Sequence, residues 1–349
     1  MMTAGCEPHH RERFVRAARR AFPAAGPARL GPVLRFLLTR LGLLLVALGV
    51  TSVLIFLALR VLPGDVAQVI GGTTATPEQL AAIRAGLGLD DPLPVQYVHW
   101  VGGVLHADLG TSLLTGVPVA DELAQKAQIT VPLAVLSLLV ALLVALPLGV
   151  IAAVRRHHPD GGLLGVLGQL FAAVPAVWAG MMFIAVFALG LGLFPAQGFP
   201  LDGWQRPWQA LHSLMLPALT IGIVEGAVLL RFVRSATLTA LGQDHVRTAA
   251  AKGMTRTRAL VTHGLPSVGL SIISVLGLQV AGLIVGAVVI EQLFALPGLG
   301  RMLVADVGNR DLPKVQSTIL VLTAFVLIVG TVVDVVHRLI DPRQRETVS

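Results

Sequence analysis

The run LGLLLVALGVTSVLIFLAL, residues 41–59, contains 19 uncharged residues between Arg40 and Arg60. A helix needs about 20 mostly apolar residues to cross the hydrocarbon core of a bilayer, so this run predicts a membrane-spanning helix. The first 30 residues are rich in arginine and could be the charged start of a signal peptide. However, the run ends without an Ala-x-Ala-like cleavage site. We therefore interpret it as a retained anchor.

The composition of the whole chain also indicates a lipid environment. Of 349 residues, 55% are hydrophobic and 13% are charged, and the mean hydropathy is +0.80. Soluble domains carry about 25% charged residues. The net charge of +7 would fit nucleic-acid binding, but the charges cluster beside the apolar runs. One cysteine, Cys6, excludes an internal disulfide framework.

The apolar runs predict six membrane-spanning helices, at residues 41–61, 129–154, 163–194, 214–234, 267–293 and 316–337. The second, third and fifth lie in long uncharged runs, which allow tilt or a bend, for example near Pro147 and Pro175. The chain then divides into a basic N-terminal tail (1–35), a first transmembrane helix (36–62), an extracytoplasmic helical segment (63–128), a five-helix core (129–340) with a loop at 235–266, and a C-terminal tail (341–349).

The distribution of Lys and Arg predicts the orientation. Eight arginines precede the first span, and five positive residues separate the fourth span from the fifth, whereas residues 61–128 carry two beside seven acids. Positive residues favour the cytoplasmic side, so both termini of this multi-pass protein are expected there. The N-terminal tail either lies on anionic lipid as an amphipathic helix or is a disordered topogenic segment.

The segment 63–128 is too long for a simple hairpin and is expected to fold on the outer surface. Thr76-Pro77-Glu78-Gln79 predicts a helix start, with Thr76 as the cap, proline at the first position and Gln79 completing a capping box. Residues 95–104 and 117–124 are expected to form further short helices.

A short polar stretch between the fourth and fifth spans has the features of a helix of two or three turns. Asp244 is expected to cap its N-terminus, Lys252 suits its C-terminal end and Gly253 is a natural stop. Such a helix is too short to be stable alone, so we expect it to dock on another surface. The sequence has no P-loop, since none of its three lysines follows glycine and precedes Ser or Thr. If ATP drives this protein, another chain binds it.

This stretch resembles the cytoplasmic EAA loop of ABC importer permeases. Arg247-Thr248-Ala249 stands where that loop has Glu-Ala-Ala, Ala250 and Gly253 follow, and Leu265-Pro266 come twelve and thirteen residues after the glycine. The Arg-Thr-Ala form is that of the peptide-importer branch. Further matching strings occur in the order of that family, at 59–65, 87–90, 96–97, 108–112, 117–119, 294–300, 310–316 and 341–343. The chain is thus similar, from about residue 35 to 345, to the B-type permease of dipeptide and oligopeptide importers.

The resemblance implies an all-α integral membrane protein of a bacterial plasma (inner) membrane, with a type I ABC importer-like fold and a coupling helix. The implied function is to form half of the pathway for short peptides. The implied partners are a homologous second permease, two ATP-binding subunits or domains and an extracytoplasmic substrate-binding protein. ATP and magnesium would bind to the ATPases, and no cofactor to this chain. The expected coupling residues are Asp244, Arg247, Thr248, Ala249, Ala250, Gly253, Leu265 and Pro266.

Glu225 departs from the family pattern, which has a small or apolar residue there. A carboxylate at membrane depth is costly, so it should face protein or water. Either it lines the pathway and attracts cationic substrate groups, or it pairs with Arg231 or lies protonated in a helix interface. Structural pairing is expected for Glu291 and Asp334, near the ends of the fifth and sixth spans. The glycine pairs 222/226 and 282/286 suit close helix packing, either within the chain or at a dimer surface.

Other functions remain open in the sequence. Relatives in this branch also carry nickel chelates and other small solutes. An ion-coupled secondary transporter would need intramembrane ionisable residues, for which Glu225 is the one mid-span carboxylate candidate. An embedded enzyme would need a nucleophile and base, and no catalytic motif is present. The dyads His9-His10 and His157-His158 are too isolated for a metal site.

Overall fold

The computed structural model describes residues 30–61, 66–72 and 74–340. Most of both tails, the Pro63-Gly64-Asp65 turn and the 341–343 string therefore lie outside the described residues. Within these ranges the protein is helical, with one isolated β-bridge between Thr111 and Pro118. The helices are α1 (Leu30–Val61), α2 (Val66–Gly71), α3 (Pro77–Gly86), α4 (Leu93–Leu105), α5 (Val119–Val154), α6 (Pro159–Ala173), α7 (Ala176–Phe183), α8 (Pro207–Leu241), α9 (Asp244–Ala251), α10 (Arg256–Ala259), α11 (Leu265–Leu293), α12 (Leu299–Asn309) and α13 (Leu312–Ile340).

Six spans are present if one bent pair of helices is counted as a single span. Among the described residues, α1, α5, α8, α13 and the stretch Thr257–Leu293 are each long and apolar enough to cross a membrane. The sixth is α6 together with α7 and its π-helical extension Ile184–Gly190, which are bent by 100°. The bend lies at Val174 and Pro175, since proline has no amide hydrogen to continue the helix. Pro147, by contrast, lies inside the continuous helix α5.

Of the three short helices expected in the segment after α1, the structure confirms two and differs from the third. The capping box of α3 is confirmed, because Gln79 N donates to Thr76 Oγ1 and Thr76 N donates to Gln79 Oε1. The helix expected at 95–104 is α4. The helix expected at 117–124, however, forms the first turns of α5, which begins at Val119 and continues through Pro132 without interruption. The expected boundary at 128/129 therefore falls inside α5, as that at 35/36 falls inside α1.

The core forms where α5, α8 and α11 pack together. Gly222 and Gly226 of α8 lie against α5, and a Cβ atom at Gly222 would come within 2.5 Å of Val140 Cβ. Gly286 of α11 faces Ile221, and Gly282 faces Glu225. Both glycine pairs therefore serve packing within the chain. The largest fully buried apolar side chains around them are Leu133, Leu214, Leu216, Ile221, Leu283, Ile290 and Phe294.

Helix α1 lies at the side of this core and packs mainly along α13. Ile55 and Leu59 of α1 meet Val315 and Leu320 of α13 in a small buried cluster. At the opposite end of the seam, Arg40 and Asp334 form an ion pair at 2.9 Å. The structural pairing expected for Asp334 is therefore confirmed.

Candidate functional site

The short helix α9 buries one face against the loop that follows it. Val246 and Ala249 are 2% and 9% exposed and pack with Ala259, beside Ala250 and Met254. These small apolar contacts hold a helix that is too short to be stable in isolation. The packing leaves the opposite face of α9 free.

The start of α9 differs from the prediction, whereas its end agrees. Gln243 is the N-cap residue, with extended backbone angles, and Asp244 is the first helical residue. The expectation that Asp244 caps the helix is therefore wrong, although a carboxylate in the first turn still favours the positive end of the helix dipole. At the other end, Gly253 has a φ of 93°, a conformation that favours glycine, and the chain turns away there.

The free face of α9 is a stripe formed by Asp244, Arg247, Thr248 and Ala251, which are all exposed. Their spacing of three and four residues places them on one side of the helix. Ala249, which was expected beside them, lies on the buried side, and Ala250 is half-buried. The stripe presents one acidic and one basic side chain separated by about one helical turn, which suits a polar protein surface.

The loop is bound to the ends of both flanking spans. Ser267 Oγ of α11 lies 3.4 Å from Gln243 Oε1, which it can donate to, and His245 Nε2 lies 3.2 Å from the backbone oxygen of His263. Gly264 fits closely against Leu260, Val246 and Ala240. Leu265 and Pro266 begin α11 immediately after a π-helical turn at Leu260–Gly264. These two residues therefore lie at the base of the loop and not on the exposed stripe.

A groove of about 250 Å³ opens between α8 and α11 beside the base of this loop. It begins at Gln243 and Ser267 and is lined by further hydroxyl side chains, Ser235, Thr239 and Ser271. The serines and threonines recur at helical spacing, a pattern that could have identified the groove from sequence. Sequence reasoning missed it, because each residue alone is an ordinary helix-surface serine or threonine.

Glu225 lies further along the same two helices, half-buried between α8 and α11. Gln279 Nε2 donates to its carboxylate and, at 3.2 Å, to its backbone oxygen. Arg231 is instead placed beside Phe232, with its guanidinium carbon 5.7 Å from the ring centre, and no described residue forms an ion pair with Glu225. Of the arrangements considered from sequence, the observed contact is that of a helix interface, with Gln279 as the partner. Gln279 was not expected.

Glu291 is fully buried at the other end of α11 and caps α12. Thr130 Oγ1 donates to Glu291 Oε1 at 2.5 Å, and Oε2 accepts from the amides of Gly300 and Arg301 at 2.8 and 3.1 Å. The carboxylate thereby satisfies amides in the first turn of α12 that have no partner within the helix. The structural pairing expected for Glu291 is confirmed.

The strings 108–112 and 310–316, which carry part of the family resemblance, contact each other. Asp311 accepts a hydrogen bond from Ser112 Oγ at 2.5 Å and another from the Leu113 amide at 3.2 Å. Three residues further on, Lys314 forms ion pairs with Glu122 and Asp306. Burial raises the pKa of the Asp306 carboxyl, and the Lys314 ammonium opposes that shift. These contacts fix the starts of α5 and α13 together.

Within the described ranges, no three His, Cys, Asp or Glu side chains converge as metal ligands. His9 and His10 lie outside these ranges.

Two sequence families match the chain. The description "binding-protein-dependent transport system inner membrane component" applies to residues 145–346, and its N-terminal counterpart to residues 33–134. The matched ranges contain the loop helix α9, the groove and the strings that join α5 to α13.

Several curated relatives are similar over nearly their whole length. A probable peptide ABC transporter permease of Sinorhizobium fredii is 37% identical over 311 residues, which is 89% of this chain and 99% of the relative. The dipeptide transport system permease of Escherichia coli K12 is 34% identical over 336 residues, 90% and 99% of the two chains. The glutathione transport system permease of Salmonella typhimurium is 37% identical over 316 residues, again 90% and 99%.

Proposed function

The chain belongs to the family of binding-protein-dependent transport system inner membrane components, and from this membership we propose that α9 couples a partner ATPase to its membrane-spanning helices. It is a multi-pass membrane permease subunit of a peptide importer. The relatives named above are a peptide, a dipeptide and a glutathione permease, and glutathione is itself a short peptide. A short peptide is therefore the substrate class that this membership supports.

The exposed stripe of α9 carries the coupling proposal. A helix of eight residues that buries only Val246 and Ala249 within its own chain leaves Asp244, Arg247 and Thr248 available to a second protein. A surface groove on an ATP-binding subunit would cover this stripe. Ala250, Gly253, Leu265 and Pro266 then shape the helix and its base and need not contact the partner.

Contacts at the base of the loop connect α9 to two membrane spans, α8 and α11, so that a movement of α9 would move both. Gln243 meets Ser267, and Gly264 fits against Ala240 at the end of α8. If ATP and magnesium, bound between the two partner subunits, bring those subunits together, α9 moves with one of them and tilts α8 and α11. Changing a two-state population from 1:99 to 99:1 takes about 5.5 kcal/mol. Nucleotide binding at the ATPase interface would supply that difference, and no residue of this chain carries out chemistry.

Glu225 and the groove between α8 and α11 are proposed to face the translocation pathway. A peptide carries an ammonium group at its N-terminus, and a half-buried carboxylate would attract that group. The hydroxyl-lined groove leads from Gln243 towards the interior along the same two helices. The contact from Gln279 leaves one carboxylate oxygen of Glu225 facing Gly282, where a side chain is absent.

The complete transporter would contain a homologous second permease, two ATP-binding subunits or domains and an extracytoplasmic binding protein that delivers the substrate. Both termini of this chain would face the cytoplasm, as would α9. The distribution of arginine and lysine along the sequence supports this orientation.

Co-purification tests the proposal directly. The full chain, expressed together with ATP-binding subunits encoded beside its gene, should retain ATP-hydrolysing protein after solubilisation in detergent. In proteoliposomes that contain the whole assembly, ATP should drive peptide uptake, and an uncoupler should leave that uptake unchanged. Failure to retain any ATPase, or uptake that the uncoupler abolishes while ATP is preserved, would indicate an ion-coupled transporter instead.

A further inference from the structure

At one end of the seam between α1 and α13, Arg40 and Arg338 lie beside the ring of Phe36, and the exposed Arg35 precedes Phe36 in α1. We name these four residues the basic seam. The guanidinium carbon of Arg338 lies 4.0 Å from the centre of the Phe36 ring, and that of Arg40 lies 5.4 Å from the same centre. Two cations within 6 Å of one ring are in cation–π range, so the ring holds both side chains beside each other.

The basic seam lies at the depth of lipid headgroups. In α1 the 19 residues 41–59 are uncharged, and in α13 the 19 residues 315–333 are uncharged. At 1.5 Å per residue each run spans about 28 Å, close to the thickness of the hydrocarbon core. Arg40 and Asp334 therefore mark the edge of that core, and Phe36 and Arg338 lie one turn beyond it.

The charges of the seam are not balanced within the described part of the chain. Asp334 pairs with Arg40, while Arg35 and Arg338 have no carboxylate partner among the described residues. An aromatic ring orients a guanidinium but does not use its five N–H donors in hydrogen bonds. Planar donors of this kind match the oxygens of a phosphate group in a bidentate arrangement.

The surroundings of the seam favour a lipid over a protein as its partner. Leu34, Leu38, Leu41 and Leu339, on the two helices that form the seam, are each at least half exposed. Helix α1 packs mainly on α13, so the seam lies at the side of the bundle where acyl chains have access. An acidic protein surface would satisfy the arginines but would leave these leucines without apolar contacts.

We propose that the basic seam binds the headgroup of an anionic phospholipid, with the phosphate against Arg338 and Arg35 and the acyl chains along the exposed leucines. Basic pockets between transmembrane helices are known to bind anionic headgroups. A lipid bound there would join α1 to α13 at the end of the seam where charge, and not apolar packing, holds the two helices together. This inference does not depend on the transported substrate.

Lipid titration of the purified full chain tests the inference. Native mass spectrometry should show that phosphatidylglycerol binds more tightly than phosphatidylcholine to the unaltered protein. The double variant Arg35→Gln, Arg338→Gln should weaken phosphatidylglycerol binding by about 25-fold, since each arginine near an anionic membrane contributes about fivefold. The matched control Arg156→Gln, which removes an exposed arginine at the end of α5 away from the seam, should change binding less than twofold.

A second variant separates charge from packing. Arg338→Lys keeps the positive charge and should retain the preference for phosphatidylglycerol, although binding weakens to some extent. If Arg338→Gln binds phosphatidylglycerol as tightly as Arg338→Lys does, neither the charge nor the N–H donors of Arg338 contact the headgroup, and the proposal is wrong.

Three further results would overturn the proposal. The first is equal phosphatidylglycerol binding by the double variant and the Arg156→Gln control. The second is displacement of the lipid by millimolar inorganic phosphate, which would show a site for free anions. The third is unchanged lipid binding combined with loss of a co-purifying protein, which would show that the seam binds a protein partner.

Discussion

Lys314, in the first turn of α13, lies 2.5 Å from Glu122 Oε2, in the first turn of α5. The same ammonium lies 3.1 Å from Asp306 Oδ1 at the end of α12. Helix α5 and the two consecutive helices α12 and α13 thus share one buried cation. Since the Lys314 side chain is 8% exposed, this cluster is a structural junction and not a surface ion pair.

Replacing Lys314 with Met should lower the free energy of unfolding by about 3–5 kcal/mol, because two largely buried carboxylates lose their counter-ion. The matched control is Lys126→Met, which removes a cation one turn further along α5 and outside the junction. Thermal unfolding in detergent measures both variants. Equal stability of the two variants would contradict the junction role.

The destabilisation of Lys314→Met should depend on pH. Burial already raises the pKa of Asp306, and the ammonium that opposes this shift is missing in the variant. A carboxyl whose pKa is raised by folding favours the folded state below its unfolded pKa, and that contribution is lost as the pH rises through the folded value. The difference in stability between the unaltered protein and Lys314→Met should therefore be largest near pH 8. It should be smaller near pH 4, where the variant recovers stability. A loss that is constant across this range would argue against buried carboxylates as the cause.

Charge reversal on the exposed stripe of α9 should uncouple transport. We expect Arg247→Glu to reduce ATP-driven peptide uptake about tenfold or more, as removal of an interface hot spot does, while the partner ATPases continue to hydrolyse ATP. Arg156→Glu makes the same charge change on a different loop and should transport normally. Peptide uptake and ATP hydrolysis, measured together in proteoliposomes, distinguish uncoupled from normal transport. Normal coupled uptake by Arg247→Glu would contradict a docking role for α9.

Gly253 should tolerate only residues that accept its backbone conformation. Its φ of 93° costs a β-branched residue about 1–3 kcal/mol, and no heavy atom lies within 4 Å of the Cβ position. Gly253→Val should therefore act through the backbone by displacing the end of α9, and it should lower the ratio of uptake to ATP hydrolysis. Gly253→Asn, which accepts a positive φ more readily, should have the smaller effect. Equal effects of Val and Asn would point to a cause other than backbone strain.

Transport of dipeptides that differ in charge tests the role of Glu225. Glu225→Gln keeps the shape of the side chain and can still contact Gln279, but it loses the negative charge. If Glu225 faces the pathway, the variant should transport lysine-containing dipeptides about fivefold less well, the effect of roughly 1 kcal/mol of lost attraction, and neutral dipeptides almost unchanged. Gln279→Leu is the comparison, because it removes the interface contact and leaves the carboxylate. Unchanged selectivity in Glu225→Gln, with reduced stability in both variants, would assign Glu225 to helix packing.

Local sequence signals predicted the elements whose causes are local. Six apolar runs predicted the spans, the Thr76-to-Gln79 pattern predicted a capping box, and Gly253 predicted the end of α9. Each depends on residues within one or two helical turns. The predicted cap of α9 was wrong by one residue, since Gln243 and not Asp244 is the N-cap. Gln243 contacts Ser267 of another helix, and the local sequence does not predict that contact.

The remaining features depend on pairs that are distant in the sequence. The contacts of Glu225 with Gln279 and of Thr130 with Glu291 join different helices, and the contact of Ser112 with Asp311 joins two loops. Hydropathy predicts which residues lie in the membrane, but it does not predict which segments face each other. The start of α5 at Val119 has a similar cause, since Val119 and Leu123 pack against Leu299 and Met302 of α12.

The buried carboxylate of Glu291 has a consequence for the order in which the chain is assembled during synthesis. Thr130, its hydroxyl donor, leaves the ribosome long before it, whereas the amides of Gly300 and Arg301 follow it by nine and ten residues. Until those amides arrive, α11 ends on an acid whose hydrogen bonds are incomplete. We therefore expect the fifth span to reach its final position only after the start of α12 has been translated, and we expect a chain truncated between Glu291 and Gly300 to be degraded by membrane quality-control proteases.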